Sequence, residues 1–164
     1  MASIYLAHCA IDGRSGHEAG RELLGQLFRT HAGREMPPIA IAPGGKPYFP
    51  GTDWHFSISH TKRHVFCALS DRPIGIDAEE MDRKIDLRLA QKILSPAEKA
   101  RFDAANDPRL TLLRFWVLKE AAVKLTGQGL RGYPDHTDFD PHDSRIRTLD
   151  GCLVAILQEE EYAL

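Results

Sequence analysis

The sequence predicts an α+β fold, and three observations lead there. Short runs rich in β-branched and aromatic residues recur along the chain, two longer stretches between them carry helical spacing, and no exact repeat, linker or low-complexity tract intervenes. The order strand, helix, strands, then helices and strands again is compatible with two similar halves, approximately residues 1–70 and 71–164. A chain of 164 residues with 43% hydrophobic and 27% charged residues can bury its own core without staples.

Each element has a local reason. Residues 3–9 (SIYLAHC) read as a strand, and residues 16–31 as a helix because Leu23, Leu24, Leu27 and Phe28 recur at helical spacing. Ile39 and Ile41 alternate in a short strand before PGGKPYFPG, whose Gly and Pro content forces an extended or turning segment. HFSISH, HVFCALS and PIGIDAE follow as three short strands separated by polar turns. DLRLAQKIL is expected to be helical. Ser95, Pro96 and Glu98 then supply an N-cap, a first-turn proline and a capping-box acid for a helix over SPAEKARF. Residues 109–126 contain good helix formers without internal Gly or Pro, and Gly127 is placed to end them. The stretch from 127 to 144 reads as loop, and RIRTL and CLVAILQ flank Asp150-Gly151, a two-residue hairpin signal.

Composition narrows the functional classes. A formal net charge of -2 argues against general nucleic-acid binding, which leaves a strongly basic footprint. Cys9, Cys67 and Cys152 are odd in number and scattered, which suggests neither a disulfide framework nor a zinc ribbon and suits a reducing cytoplasm. The N-terminal residues lack the pattern of a secretory leader, and no stretch has the ~18 apolar residues of a membrane span. A cytoplasmic protein with no membrane or nucleic-acid partner is expected.

The residues that could carry chemistry lie in the middle and on the long helix. Asp77 and Glu79 are two apart on a strand, so both side chains point to one face. Like charges so placed are either fully solvated at a strand end or share a cation, and Ile74 and Ile76 beside them favour partial burial. Trp116, Glu120 and Lys124 follow at i, i+4, i+8 and form one helical stripe, which on its own reads first as a solvated surface ion pair and only second as a site. Were Glu120 to face Asp77 and Glu79, the all-oxygen set would suit Mg²⁺, with Lys119 and Lys124 available to neutralise a pyrophosphate. His60 and His64 have H-x-x-x-H spacing but strand-like flanks, and the sequence offers no further zinc ligand beside them. Ser57 and Ser59 lack the G-x-S-x-G elbow of a hydrolase, and the glycines match neither a P-loop nor a dinucleotide fingerprint.

Taken in order, GKPYF (Gly45 to Phe49), FSISH (Phe56 to His60), IGIDAE (Ile74 to Glu79), WVLKEAAVK (Trp116 to Lys124) and GQGL (Gly127 to Leu130) resemble the 4′-phosphopantetheinyl transferases, specifically the type that activates surfactin synthetase. Each block is short; the ordered set is specific. The resemblance covers residues 1–130 and extends to the closing strands. It implies a pseudo-dimeric α+β fold with coenzyme A between two similar lobes, and a monomer, because the G-I-D motif lies mid-chain rather than near the N-terminus as in the trimeric holo-acyl-carrier-protein-synthase type.

The resemblance also implies roles. Asp77, Glu79 and Glu120 would hold Mg²⁺ against the coenzyme A pyrophosphate, and Glu120 would take the proton of a carrier-protein serine, directly or through a water. Lys124 would contact the pyrophosphate. Lys119 belongs to the motif, although its side chain lies about 100° from Glu120 on an ideal helix and could be structural. Lys46 and Pro47 would line the adenine side, with Ser59 and His60 at the ribose 3′-phosphate. Members of this type carry a longer basic N-terminal region; here Arg21 in GRELL resembles one retained position and Arg14 is a candidate for another. The partner implied is an acyl or peptidyl carrier protein docking transiently, for which Arg83, Lys84, Arg88 and Lys92 offer a basic face. Another Mg²⁺-dependent phosphoryl-transfer enzyme, or a non-catalytic relative that only binds carriers, are the competing readings.

Overall fold

The structure, a computed structural model, describes residues 3–127 and 138–159. Thirteen residues separate β1 (Ile4–Ala10) from α1's midpoint, and the elements continue as α1 (Gly16–Ala32), β2 (Ala40–Ile41), β3 (Pro47–Tyr48), β4 (His55–His60), β5 (His64–Ser70) and β6 (Ile74–Glu80). After a 3₁₀ turn (Leu87–Leu89) come α2 (Ala90–Ile93), α3 (Pro96–Asp103), α4 (Pro108–Thr126), β7 (Ile146–Leu149) and β8 (Cys152–Gln158).

Two three-stranded antiparallel sheets carry the fold, in the orders β1-β5-β4 and β6-β8-β7, with β2-β3 as a small separate ribbon. In both large sheets the last strand in chain order lies in the centre, and a helix separates the first strand from the hairpin. Mixed helix and sheet is the class the sequence predicts.

The period-2 alternation of the strands sorts the core into layers. Val65, Cys67 and Leu69 of β5 pack with Leu24, Leu27 and Phe28 of α1. The alternate residues Phe66 and Ala68 turn the other way, onto Ile74, Ile76 and Ala78 of β6 and Val154 and Ile156 of β8. Leu153, Ala155 and Leu157 then face α4 through Leu113, Val117 and Ala121. The layers therefore run α1, first sheet, second sheet, α4. Strands β5 and β8 are buried on both faces, which is why they read as nearly continuous apolar runs.

Strand β6 ends its sheet on one side, and an edge strand leaves backbone N–H groups to be satisfied. Here the serines of β4 do so: Ser57 Oγ accepts from the Ile76 N–H (3.0 Å) and Ser59 Oγ from the Ala78 N–H (3.0 Å). The two sheets are thereby stitched edge to edge. Gly75 lets α4 close on β6, since a Cβ there would stand 2.0 Å from the Ala121 carbonyl oxygen.

The local signals hold. Ser95 and Glu98 form the capping box of α3 with Pro96 in its first turn, and Asp107 caps α4. Gly127 ends α4 at φ 72°. Asp150 and Gly151 take positive φ values of 51° and 73° in the β7–β8 turn, the geometry a two-residue hairpin needs. DLRLAQKIL departs from expectation: it forms a 3₁₀ turn followed by a single α-turn, not one helix. Asp86 caps its start through a bond from the Arg88 N–H (2.9 Å), and the backbone turns extended at Leu94 before Ser95 opens α3. Of the loop expected over 127–144, residues 128–137 lie outside the described residues, as does GQGL beyond Gly127.

Candidate functional site

Asp77 and Glu79 lie on the face of β6 turned to α4, with Gly75, while Ile74, Ile76 and Ala78 face the first sheet. Because α4 packs along this face, Trp116, Glu120 and Lys124 arrive opposite the two acids, one helical turn apart. Lys124 Nζ lies 3.1 Å from Asp77 Oδ1 and 3.4 Å from the Ile58 carbonyl of β4. The Trp116 indole N–H donates to Glu79 Oε1 (3.2 Å), which also receives Arg83. The Arg83 guanidinium stands 5.9 Å from the Trp116 ring centroid, within cation–π range.

Asp77 is 6% exposed, and its Oδ2 is buried without a hydrogen-bond partner among the described residues. Burial pushes its carboxyl up to about 7, with Lys124 pulling the other way and Glu79 and Glu120 adding repulsion. Glu120 is likewise raised, first by burial, then by Glu79, against the pull of Lys124 and Arg83. An orphaned buried carboxylate oxygen among like charges is a position at which a hard cation relieves both the desolvation and the repulsion. Asp77, Glu79 and Glu120 sense one another electrostatically without closing to a common ligand spacing: among the described residues, the set of three potential ligands whose atoms lie within 4.8 Å of one another is His64, Glu80 and Cys152.

Two open clefts flank these acids at the ends of β4. One, of about 250 Å³, is lined by Gly44, Lys46, Pro47, Phe56, Lys124 and Gly127 among others. The other, of about 730 Å³, is lined by His60, Lys62, Arg63, Glu79, Asp82 and Arg83 among others. Lys46 and Pro47 thus sit where a ligand could reach them, but Lys46 Nζ is already engaged with the carbonyls of Ile74 (3.3 Å) and Leu125 (2.9 Å), and burial lowers its pKa. It locks the glycine loop to β6 and to the end of α4. Gly44 is needed in that loop because a Cβ would stand 2.3 Å from the Gly127 carbonyl oxygen.

The remaining expected ligand contacts divide. His60 is exposed on the larger cleft, its ring against Gly16 at the start of α1. Ser59 is 4% exposed, and its hydroxyl is used on the Ala78 N–H and on Asp77 Oδ1 (3.4 Å), so it orders the acid instead of reaching into a cleft. Arg21 is half-buried on α1 and lines neither cleft; Arg14 is tied to Glu22 (2.6 Å) and to the Ile11 carbonyl (3.1 Å).

Lys119 does not point into the site. It is 3% exposed, its Nζ lies 2.6 Å from Glu98 Oε1, and Glu98 is fully buried. Glu98 also accepts from the N–H groups of Ser95 (2.9 Å) and Phe139 (2.9 Å), so one carboxylate joins α3, α4 and the segment leading to β7. The reason is angular: a residue about 100° from Glu120 on the helix faces α3, not β6. Sequence reasoning assigned Glu98 only its capping role and missed this partnership. It also missed Trp116 and Arg83 as holders of Glu79; the signal for Trp116 was its place in the stripe.

The sequence pattern of the 4′-phosphopantetheinyl transferase superfamily matches residues 73–161, from the residue before β6 to beyond β8. The chain belongs to this superfamily. A 4′-phosphopantetheinyl transferase of Bacillus subtilis is 37% identical over 69% of the chain and 54% of its own length. The 4′-phosphopantetheinyl transferase psf-1 of Bacillus pumilus is 32% identical over 69% of the chain and 52% of its length, and Sfp of Bacillus subtilis strain 168 is 38% identical over 52% and 39%. These likenesses are to the surfactin-synthetase-activating type. The chain spans about half the length of the curated relatives it matches.

Proposed function

We propose that the chain transfers the 4′-phosphopantetheine group of coenzyme A to a serine hydroxyl of an acyl or peptidyl carrier protein, releasing adenosine 3′,5′-bisphosphate. The observation that carries the reading is the buried Asp77 with its unpartnered oxygen, set beside Glu79 of β6 and facing Glu120 and Lys124 of α4. Superfamily membership and the transferase names of the relatives support it.

The donor chemistry, three carboxylates around an orphaned buried oxygen, suits Mg²⁺, and Asp77, Glu79 and Glu120 would hold it once their side chains draw together. Bound there, Mg²⁺ would neutralise charge on the pyrophosphate oxygens. The carrier serine oxygen attacks the phosphorus that bears the pantetheine arm, and the bond from that phosphorus to the bridging pyrophosphate oxygen breaks. Glu120 receives the serine proton, directly or through a water. Lys124 lies beside Asp77 and would shift toward the negative charge that grows on the departing phosphate.

The cleft beside Lys46 and Pro47 would take the adenine, and the one that His60 lines would take the 3′-phosphate near Lys62 and Arg63. Ser59 and Lys119 act by holding Asp77 and α4 in place. The two sheets share one strand order and meet along β4 and β6, which supports reading them as the two lobes of a pseudo-dimer that needs no second copy. The carrier would dock transiently on the exposed Lys84, Arg88 and Lys92, and the reaction would run in the cytoplasm. Among the described residues no helix is long and apolar enough to cross a membrane.

Intact-mass analysis of an apo carrier protein incubated with the chain, coenzyme A and Mg²⁺ tests the reading. The expected result is a gain of one phosphopantetheine per carrier, abolished by chelation of the metal or by a Ser→Ala carrier. An unmodified carrier across acyl and peptidyl carrier types would overturn it.

A further inference from the structure

We propose that His64, Glu80 and Cys152 form a second metal site, for a borderline-soft divalent cation such as Zn²⁺, that clasps the two sheets together. It is separate from the site of Asp77: Glu80 is the next residue after Glu79 on β6 and points to the opposite face.

The separations between the donor atoms support the assignment. Cys152 Sγ lies 3.4 Å from Glu80 Oε2 and 3.8 Å from His64 Nδ1, and His64 Nδ1 lies 3.5 Å from Glu80 Oε1. Tetrahedral zinc with Zn–S near 2.3 Å and Zn–N and Zn–O near 2.0 Å has ligand-to-ligand edges of about 3.3–3.6 Å. The two short contacts of Glu80 use different oxygens, and with one ligand atom from each residue all three atoms lie within 4.8 Å of one another, so an ion could enter with small rotations. Thiolate, imidazole and carboxylate together favour zinc over magnesium or calcium, which take oxygen ligands.

The fold explains the meeting. Glu80 and Cys152 are direct partners in the β6–β8 register, and the Asp150-Gly151 turn places Cys152 at the first position of β8. His64 opens β5 in the other sheet, so the ion would be held by both sheets at once. Thr61 donates to Glu80 Oε1 (2.7 Å) and Arg63 to Oε2 (3.2 Å), the outer contacts that fix a ligating carboxylate. Binding would release the thiol proton of Cys152 to solvent, and Arg63 has Asp82 at 3.7 Å as a second partner. Cys152 is buried, but Glu80 lines the larger cleft and His64 a third one of about 560 Å³, which gives an ion two approaches. His64 was half of the H-x-x-x-H spacing; the structure replaces His60 with Glu80 and Cys152, residues too distant in sequence to suggest a motif.

Titration of the full chain with Co²⁺ and Zn²⁺ in excess Mg²⁺, which keeps the Asp77 site occupied, tests the proposal. One Zn²⁺ per chain is expected, together with a near-ultraviolet thiolate-to-cobalt charge-transfer band. Cys152→Ala should remove the band, and His64→Asn, at a mostly buried position outside the core clusters, should weaken zinc binding by more than about tenfold, since even outer-shell losses cost that much. Asp77→Asn should leave both signals intact. Absence of the band from the wild type, its persistence in Cys152→Ala, or zinc binding lost with Asp77→Asn and kept in His64→Asn would overturn the proposal.

Discussion

Replacing Asp77 by Asn removes a charge that the ligand-free fold holds at a cost. The carboxyl is pushed from 3.8 to about 7, burial being the largest cause. A raised acid pKa favours folding only while the group is protonated. Its contribution is complete below the unfolded value, falls as pH rises between the two, and is fully lost above about 7. At about 1.4 kcal/mol per pH unit, Asp77 costs the fold about 4 kcal/mol at pH 8, where it is buried ionised, and about 2 kcal/mol at pH 5, where folding must take up a proton from solvent. The neutral, nearly isosteric Asn escapes that cost, and its Lys124 neighbour keeps the Ile58 carbonyl. In chelator, calorimetry should therefore show the variant melting on the order of 10 °C above wild type at pH 8 and by roughly half as much at pH 5. Added Mg²⁺ should raise the wild-type Tm and leave the variant unchanged. A variant that melts at or below wild type at pH 8, or a gain independent of pH, would refute the account of Asp77 as a strained, cation-seeking acid.

The buried pair makes the opposite prediction: Lys119→Met strands Glu98 without its cation and should cost about 3–5 kcal/mol in urea unfolding. Any activity that survives should keep the wild-type KM for coenzyme A, whereas a raised KM in a stably folded variant would return Lys119 to the ligand site. At the proposed carrier face, Arg88 pairs with Asp86 (2.8 Å) at an exposed position, a contact that contributes little to stability. Reversing Arg88 and Lys92 to Glu should lower kcat/KM for the carrier, most at low salt, with little change in KM for coenzyme A. A loss independent of ionic strength, or an equal loss for coenzyme A, would place docking elsewhere.

What was legible in the sequence was local. The Ser95 capping box, the Gly127 helix end and the Asp150-Gly151 turn each depend on a few adjacent residues, and all three stand in the structure. The period-2 placement of Asp77 and Glu79 and the helical stripe of Trp116, Glu120 and Lys124 were readable for the same reason. Their meeting was not, because it depends on how closely α4 approaches β6, which Gly75 permits. The other surprises are long-range pairings. Ser57 and Ser59 read from the sequence as serines without a hydrolase elbow, yet they satisfy an edge strand 19 residues further on. Glu98 read as a cap, and nothing beside it named Lys119 or Phe139 as partners. Ser59, expected to meet ligand, is spent on the Ala78 N–H and Asp77, and Lys46 lines a cleft with its amine already bonded to two carbonyls.

The proposed chemistry is tested most directly by counting both products in one reaction. With coenzyme A, Mg²⁺ and an apo carrier, the account predicts one adenosine 3′,5′-bisphosphate released for each carrier serine modified, and both products lost together in Glu120→Gln while coenzyme A still binds. Release of the bisphosphate without carrier modification would make the chain a hydrolase, and full activity in Glu120→Gln would remove Glu120 from the reaction; either result would contradict the account.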